Sequence, residues 1–232
     1  MRCVHAIRWG CVWGLCLTAV TTLAAPDDPA RPVRLEISVR TYNYAQVPVD
    51  TLVRAEGEAA RLFHAIGVGA RWGNFTPSAG GTEKDSNFDQ MRGPATIEVR
   101  VFSRFQPIPG KMGPPALGVV VGSFADVSFE EVSRLAAKVG AMPDEVLGLA
   151  MAHEIGHLLL PTRTHSLTGV MREGWDAKDF LLAAQGRLLF THGQARHIRI
   201  AVAARQRNTG NDAGLAGAFS VPGSRPAGSA PF

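Results

Sequence analysis

Residues 146–160 read VLGLAMAHEIGHLLL, and the only polar side chains among them are His153, Glu154 and His157. A helix that is apolar on all sides is typical of a buried helix. Burying a carboxylate and two imidazoles costs several kcal/mol unless they have partners or a metal ion. The segment therefore predicts a buried helix with a compensating charge beside its polar residues.

The spacing of these polar residues suggests what the compensating charge is. His153 and His157 are four positions apart, so their side chains project from one face of the helix, one turn from each other. This arrangement suits two ligands of one tetrahedral zinc ion. Glu154 points to one side, where it can hold and deprotonate a water molecule activated by the metal. Gly156 leaves room between the histidines, and we expect another backbone to pack closely there.

Two histidines leave the coordination of a metal ion incomplete. His165 is the nearest candidate for a third ligand, twelve residues after His153 and beyond Pro161, where the helix must end. The chain can then turn back and bring His165 to the metal. Residues 169–171 follow as a turn, and its methionine, Met171, is suited to lie buried beneath the site. The alternative is a core helix with two satisfied histidines, which Glu154 between them makes less favourable.

The order of these motifs resembles the zincin metallopeptidases, and among them the metzincins. The resemblance implies His153, His157 and His165 as zinc ligands and Met171 as the methionine turn beneath the zinc. A closer resemblance is to exported bacterial proteins that share HEIGHLLL, a histidine eight residues after the second one, and an H-S-x-x-G-[IV]-M run. It extends to Trp175, Asp179 and the segment Leu188 to Thr191. The resemblance covers about residues 33–207, of which 147–191 is the specific part.

Two positions depart from the metzincin pattern. Metzincins usually have a glycine where this chain has Leu160, and their third histidine where this chain has Arg163. Because related zincins use a downstream glutamate, Glu173 competes with His165 for the role of third ligand. Weaker candidates are two later acidic residues, Asp176 and Asp179.

The activity implied by the resemblance is hydrolysis of peptide bonds in peptides or proteins. Zinc is the implied cofactor, and Glu154 is the implied general base for a metal-activated water. The chain has two tyrosines, Tyr42 and Tyr44, far upstream, so the residue that stabilises an oxyanion is not assigned. The alternatives are a non-catalytic zinc-binding protein on a zincin scaffold and a metal-dependent hydrolase of a non-peptide amide.

Residues 1–25 predict a secretory signal peptide. They contain basic residues at Arg2 and Arg8, an apolar stretch from Trp9 to Val20, and small residues before Pro26. The prediction is a secreted or periplasmic protein that has no membrane attachment after cleavage. All three cysteines lie inside this segment, which excludes cysteine chemistry from the mature chain. The formal net charge of +4 is too small to indicate nucleic-acid binding. Nothing in the sequence sets the oligomeric state.

The rest of the chain predicts one α+β domain over residues 26–207. Residues 33–40 alternate as a strand, Asp50 to Gly67 has helical spacing, and 68–72 reads as a second strand. This β–α–β order predicts that the two strands pair in parallel. Further strands are predicted at Ala95–Phe102 and at Leu117–Phe124, and the latter is either an edge of the cleft or an ordinary buried strand.

The predicted helices have clear start signals. Ser128 with Glu131 indicates a capping box, Pro143 a first helical turn, and Thr191 with Gln194 the start of a last helix that runs to about Arg207. The predicted architecture is zincin-like: a mixed sheet of about four strands, the helix carrying HExxH, and a smaller helical C-terminal part. Residues 73–94 are predicted to form a loop and 208–232 a disordered tail. Outside the predicted signal peptide, the remaining histidines are assigned no metal-binding role: His64, His192 and His197.

Overall fold

The structure is a computed structural model, and it describes residues 34–75, 95–106 and 116–218, with side chains as far as residue 207. The predicted signal peptide and residues 76–94 of the predicted loop lie outside this part of the chain. Within the described residues no helix is both long enough and apolar enough to cross a membrane.

The described residues form a five-stranded sheet and five helices. In chain order they are β1 (Glu36–Asn43), α1 (Val49–His64), β2 (Gly69–Phe75), β3 (Thr96–Phe102), β4 (Gly118–Val121), β5 (Phe124–Ser128), α2 (Phe129–Val139), α3 (Pro143–Leu159), α4 (Ala177–Ala184) and α5 (His192–Ala218). The strand order is β2-β1-β3-β5-β4. The predicted mixture of helices around a mixed sheet is confirmed, with five strands instead of about four.

The first half of the sheet follows the predicted β–α–β unit. β1 pairs in parallel with β2 on one side and with β3 on the other, which confirms the parallel pairing. Alternate residues of these strands, such as Val39 and Val99, are fully buried on the face covered by α1 and α3. The two helices approach each other closely at Gly148. A Cβ at this position would collide with the carbonyl oxygen of Ala55 and lie 2.8 Å from Cβ of Glu58.

The segment predicted as one strand, Leu117–Phe124, is the first part of a hairpin. β4 and β5 pair antiparallel and are joined at Gly122, whose φ is +61°. β5 then inserts beside β3, so that β4 is left at the edge of the sheet. The prediction was wrong because it extended the strand through Gly122 and Ser123, the two turn residues that separate the valines of β4 from β5.

The helix ends agree with the predictions in part. Ser128 is the N-cap of α2, and Pro143 occupies the first turn of α3, as predicted. α1 begins at Val49, one residue before the predicted start, with Pro48 at its N-cap position. Asp50 lies in the first turn, where its charge interacts favourably with the helix dipole. α5 begins at His192, where Thr191 and Gln194 bond to each other's backbone N–H as predicted, and it continues to Ala218. Residues 208–218 of the predicted disordered tail are therefore helical, and residues 219–232 lie outside the described chain.

We expect the Gly148→Ala variant to be less stable by about 1–3 kcal/mol, since the added methyl group overpacks the contact between α1 and α3. Gly57 is the matched control, because it lies inside α1 and a Cβ there meets nothing within 4 Å. Gly57→Ala should gain about 0.5–1 kcal/mol from the lower conformational entropy of alanine. Urea unfolding of the two variants tests this, and a Gly148→Ala protein as stable as the wild type would contradict the packing described.

Candidate metal centre

Helix α3 carries the HEIGH segment through the interior of the domain. It contacts α1, α2, β4 and β5, and nearly all of its side chains are buried. His153 is 6% exposed, Glu154 5% and His157 9%. The three polar residues predicted to need partners are therefore buried, as the apolar pattern indicates.

The structure brings His165 to the two helical histidines. The Nε2 atom of His157 lies 3.0 Å from Nε2 of His153 and 3.3 Å from Nε2 of His165. The ligand atoms of the three residues all lie within 4.8 Å of one another. Tetrahedral coordination with zinc–nitrogen bonds of 2.0–2.1 Å separates ligand atoms by about 3.3 Å. Among the described residues this is the only group of three or more histidine and acidic side chains positioned to bind a metal ion.

The competing ligands lie elsewhere. Glu173 lines the cleft in front of the histidines but does not belong to the histidine group. Asp176 is the N-cap of α4 and accepts from the backbone of Lys178 at 2.8 Å. Asp179 accepts from the Arg172 guanidinium and from the Asp176 backbone N–H. The two aspartates therefore stabilise the start of α4.

A hydrogen bond to the backbone sets the tautomer of His153. Its Nδ1 lies 2.8 Å from the carbonyl oxygen of Val170, and because a carbonyl only accepts, Nδ1 carries the proton and donates it. Burial lowers the pKa of His153 to about 4, so the ring is neutral at pH 7. Burial also lowers the pKa of His157 to about 4. The Nε2 atom of His153 therefore directs a lone pair toward the other two histidines, as a metal ligand requires.

The turn that holds Val170 also packs against α3. The backbone N–H of Val170 donates to the Leu189 carbonyl at 3.1 Å, and Gly169 has a φ of +79°. Met171 is fully buried, and a Cβ at Gly156 would lie 2.5 Å from its sulfur. Gly156 thus admits a methionine side chain to α3, and the expectation that another backbone packs there was wrong.

Glu154 lies beneath the first residue of β4. A Cβ on Gly118 would lie 2.6 Å from Cδ of Glu154, so the strand passes over the carboxyl group only because that position has no side chain. Burial, and after it the charge of Asp126, raises the pKa of Glu154 to about 8. A divalent cation held by the histidines would lower this pKa, since an opposite charge favours the carboxylate.

An open cleft of about 370 Å³ gives access to these groups. His153, Glu154 and His165 line it together with Leu117 and Trp175. Gly118 has no local sequence signal that marks it as part of the site, because its role depends on the position of β4 above α3. Trp175 was noted only as part of the motif resemblance.

The other residues considered from the sequence lie away from the histidine group. Tyr42 and Tyr44 stack on each other with ring centroids 6.4 Å apart, and Tyr44 also stacks on Phe102 at 5.1 Å. Neither tyrosine lines the cleft. His64, His192 and His197 take no part in the metal-binding group.

Comparisons with known proteins find similarity only among solved structures. No protein-family model matches the chain, and no curated protein matches it in sequence. A zinc-dependent peptidase from Methanocorpusculum labreanum is 14% identical, with a TM-score of 0.45, over 69% of this chain and 99% of that one. Archaemetzincin from Methanopyrus kandleri is 15% identical, with a TM-score of 0.42, over 75% of this chain and 99% of that one. Because both TM-scores are below 0.5, the proposals below depend on the geometry of the site.

The donor set fits a zinc ion on chemical grounds. Three imidazole nitrogens converge at ligand spacing, and two of the rings are held neutral by burial. Three histidines leave a fourth position open, as in catalytic zinc sites. The hydrogen bond from Nδ1 of His153 to the Val170 carbonyl is of the kind that fixes the orientation of a histidine bound to a metal.

We expect the His165→Ala variant to bind zinc at least tenfold more weakly than the wild type, because one of three ligand atoms is removed. Zinc content after dialysis against a metal buffer measures the change. The control is His192→Ala, which removes an exposed histidine at the start of α5. Equal zinc affinity in the wild type and His165→Ala would exclude His165 as a ligand.

The raised pKa of Glu154 predicts how the stability of the metal-free protein depends on pH. The folded chain keeps the Glu154 proton up to about pH 8, whereas the ordinary pKa is 4.5. Stability from this group is therefore present at low pH and lost as the pH rises toward 8. With a chelator present, the free energy of unfolding of the wild type should fall relative to that of Glu154→Gln between about pH 5 and 8. A difference that stays constant with pH would contradict the burial of an ionisable carboxyl group.

Proposed function

We propose that this chain is an exported zinc-dependent metallopeptidase that hydrolyses peptide bonds in peptides or proteins. The single observation that carries the proposal is the convergence of three histidine Nε2 atoms beside a buried glutamate, at the wall of an open cleft. Export is supported by the signal-like pattern of residues 1–25 alone.

His153, His157 and His165 would hold the zinc ion. A zinc ion there would polarise the scissile carbonyl and make a water molecule more acidic. Glu154 is the general base: it takes a proton from the attacking water and passes it to the amine that leaves. Its buried position raises its pKa to about 8. A zinc ion held by the three histidines would lower that pKa toward the working pH, where a general base is most effective.

The edge of the sheet offers a place for an extended substrate. The backbone N–H of Ser128 donates to the Leu117 carbonyl at 2.9 Å. In an antiparallel ladder the hydrogen-bonded positions alternate, so the backbone groups of Gly118 and Val120 point away from β5 toward the free edge. Because Gly118 lies on Glu154, a peptide that pairs with this edge would have its backbone beside the proposed base.

Two alternatives predict different results at Glu154. In a zinc-binding protein without turnover, this residue has no proton to transfer. In a hydrolase of a non-peptide amide, Glu154 keeps its role, but peptides are not substrates. The outcomes are separated by measuring zinc content and hydrolysis on the same variants.

We expect Glu154→Gln to lower peptidase activity by about 10²–10⁴-fold, because the amide cannot accept the proton, while zinc content stays near the wild-type value. The assay is cleavage of a mixed peptide library followed by mass spectrometry. The matched control is Glu173→Gln, which removes a second carboxylate at the cleft and should leave both zinc content and most of the activity.

Each contrary outcome identifies a different error. Wild-type protein that binds zinc but cleaves neither peptides nor other amides favours the non-catalytic alternative. Loss of zinc from Glu173→Gln would make Glu173 a ligand. Wild-type protein that does not bind zinc after reconstitution would end the peptidase proposal.

A further inference from the structure

Arg163 occupies the position where the metzincin pattern has its third histidine, and the proposed catalytic machinery does not use it. It lies in the segment between the end of α3 and His165, and its side chain is exposed. Its Nη1 atom donates to the carbonyl oxygen of Val120 at 3.4 Å. The guanidinium group therefore reaches from the loop that carries His165 across to β4.

The acceptor of this hydrogen bond is one of the outward-facing groups of the sheet edge. The ladder between β4 and β5 leaves the N–H and C=O of Val120 directed away from β5. A peptide that adds to the edge would offer its own N–H to this carbonyl. An added peptide strand would therefore compete with Arg163 for Val120 and release the guanidinium next to itself.

The charge of Arg163 has no acidic partner among the described residues. Other arginines do: Arg100 forms two bonds of 2.7 Å with Asp126, and Arg134 contacts Glu130 and Glu131. An unpaired guanidinium at this place would pair with a carboxylate supplied by a bound molecule.

The register along β4 sets the distance between Arg163 and the reacting bond. Gly118 lies on Glu154, and Val120 is two residues further along the strand. Two residues of extended chain span about 7 Å. A substrate residue opposite Val120 is therefore about two positions from the one opposite Gly118.

We propose that Arg163 is a specificity-determining residue that binds a carboxylate of the substrate about two residues from the scissile bond. The carboxylate is either an Asp or Glu side chain or the free C-terminus of a peptide. This inference rests on the proposed peptidase function, and it adds a substrate class to it: acidic or carboxylate-terminated peptides.

The experiment uses a peptide that the zinc-loaded wild type cleaves, resynthesised with Asp, Asn or Lys at each of the three positions on either side of the cleaved bond. A second pair of peptides differs only in a free or an amidated C-terminus. Each is assayed with wild type, Arg163→Ala and Arg163→Lys. The control is Arg196→Ala, which removes an exposed arginine on α5. Zinc content is measured for every variant.

At one position, or at the free C-terminus, we expect the wild type to favour the carboxylate over its neutral counterpart by about fivefold in kcat/KM, as for an exposed ion pair. The difference should lie mainly in KM and should shrink in high salt, because salt screens exposed charges. Arg163→Ala should abolish the preference, Arg163→Lys should retain part of it, and Arg196→Ala should retain all of it. Cleavage of the neutral peptide should stay within about twofold in all variants.

Four results would overturn the inference. If the wild type cleaves charged and neutral peptides equally, or if Arg163→Ala keeps the preference, the inference fails while the peptidase proposal stands. If Arg163→Ala loses zinc, Arg163 supports the metal centre instead of selecting substrates. If the wild type holds zinc and cleaves no peptide, the peptidase proposal fails, and the inference fails with it.

Discussion

The burial of His153, Glu154 and His157 in one apolar helix is the constraint on which the rest of this structure depends. Each polar group in such a place needs a partner or a change in protonation. His153 donates to the backbone carbonyl of Val170, and His157 lies beside a histidine from the loop after the helix. Glu154 changes its protonation instead, since burial raises its pKa to about 8. The proposed zinc ion would supply the positive charge that these contacts do not.

The parts of the fold that could be predicted are those with a local physical signal. Alternation and helical spacing identify β1, α1 and β3, and capping residues such as Ser128 and Pro143 place helix starts to within a residue. The hairpin of β4 and β5 has a weaker signal: Gly122 and Ser123 fit a two-residue turn, but the five residues of β5 are too few to establish a strand by alternation alone. The pairing of β5 with β3 shows that Phe124–Ser128 is a separate strand.

In the candidate site, too, only some of the residues have a local sequence signal. The HEIGH spacing shows why two histidines share one face of a helix, and the proline that ends the helix shows why His165 can return to them. The contacts of Gly118 and Arg163 depend on where β4 lies relative to α3, which is a property of the whole sheet. Residues of this kind carry no local signal, since the same glycine or arginine elsewhere on the surface would have no relation to the chemistry.

The three histidines lie in parts of the chain that differ in structure and burial. His153 and His157 are carried by a buried helix, whereas His165 lies in an exposed loop. Opening of that loop would leave an ion held by two ligands instead of three, an intermediate from which it can leave or be replaced. The rate of metal exchange would then follow the motion of the loop, while the equilibrium affinity depends on all three nitrogens. Changes in the loop could therefore alter how fast the site exchanges its metal without altering the two ligands on the helix.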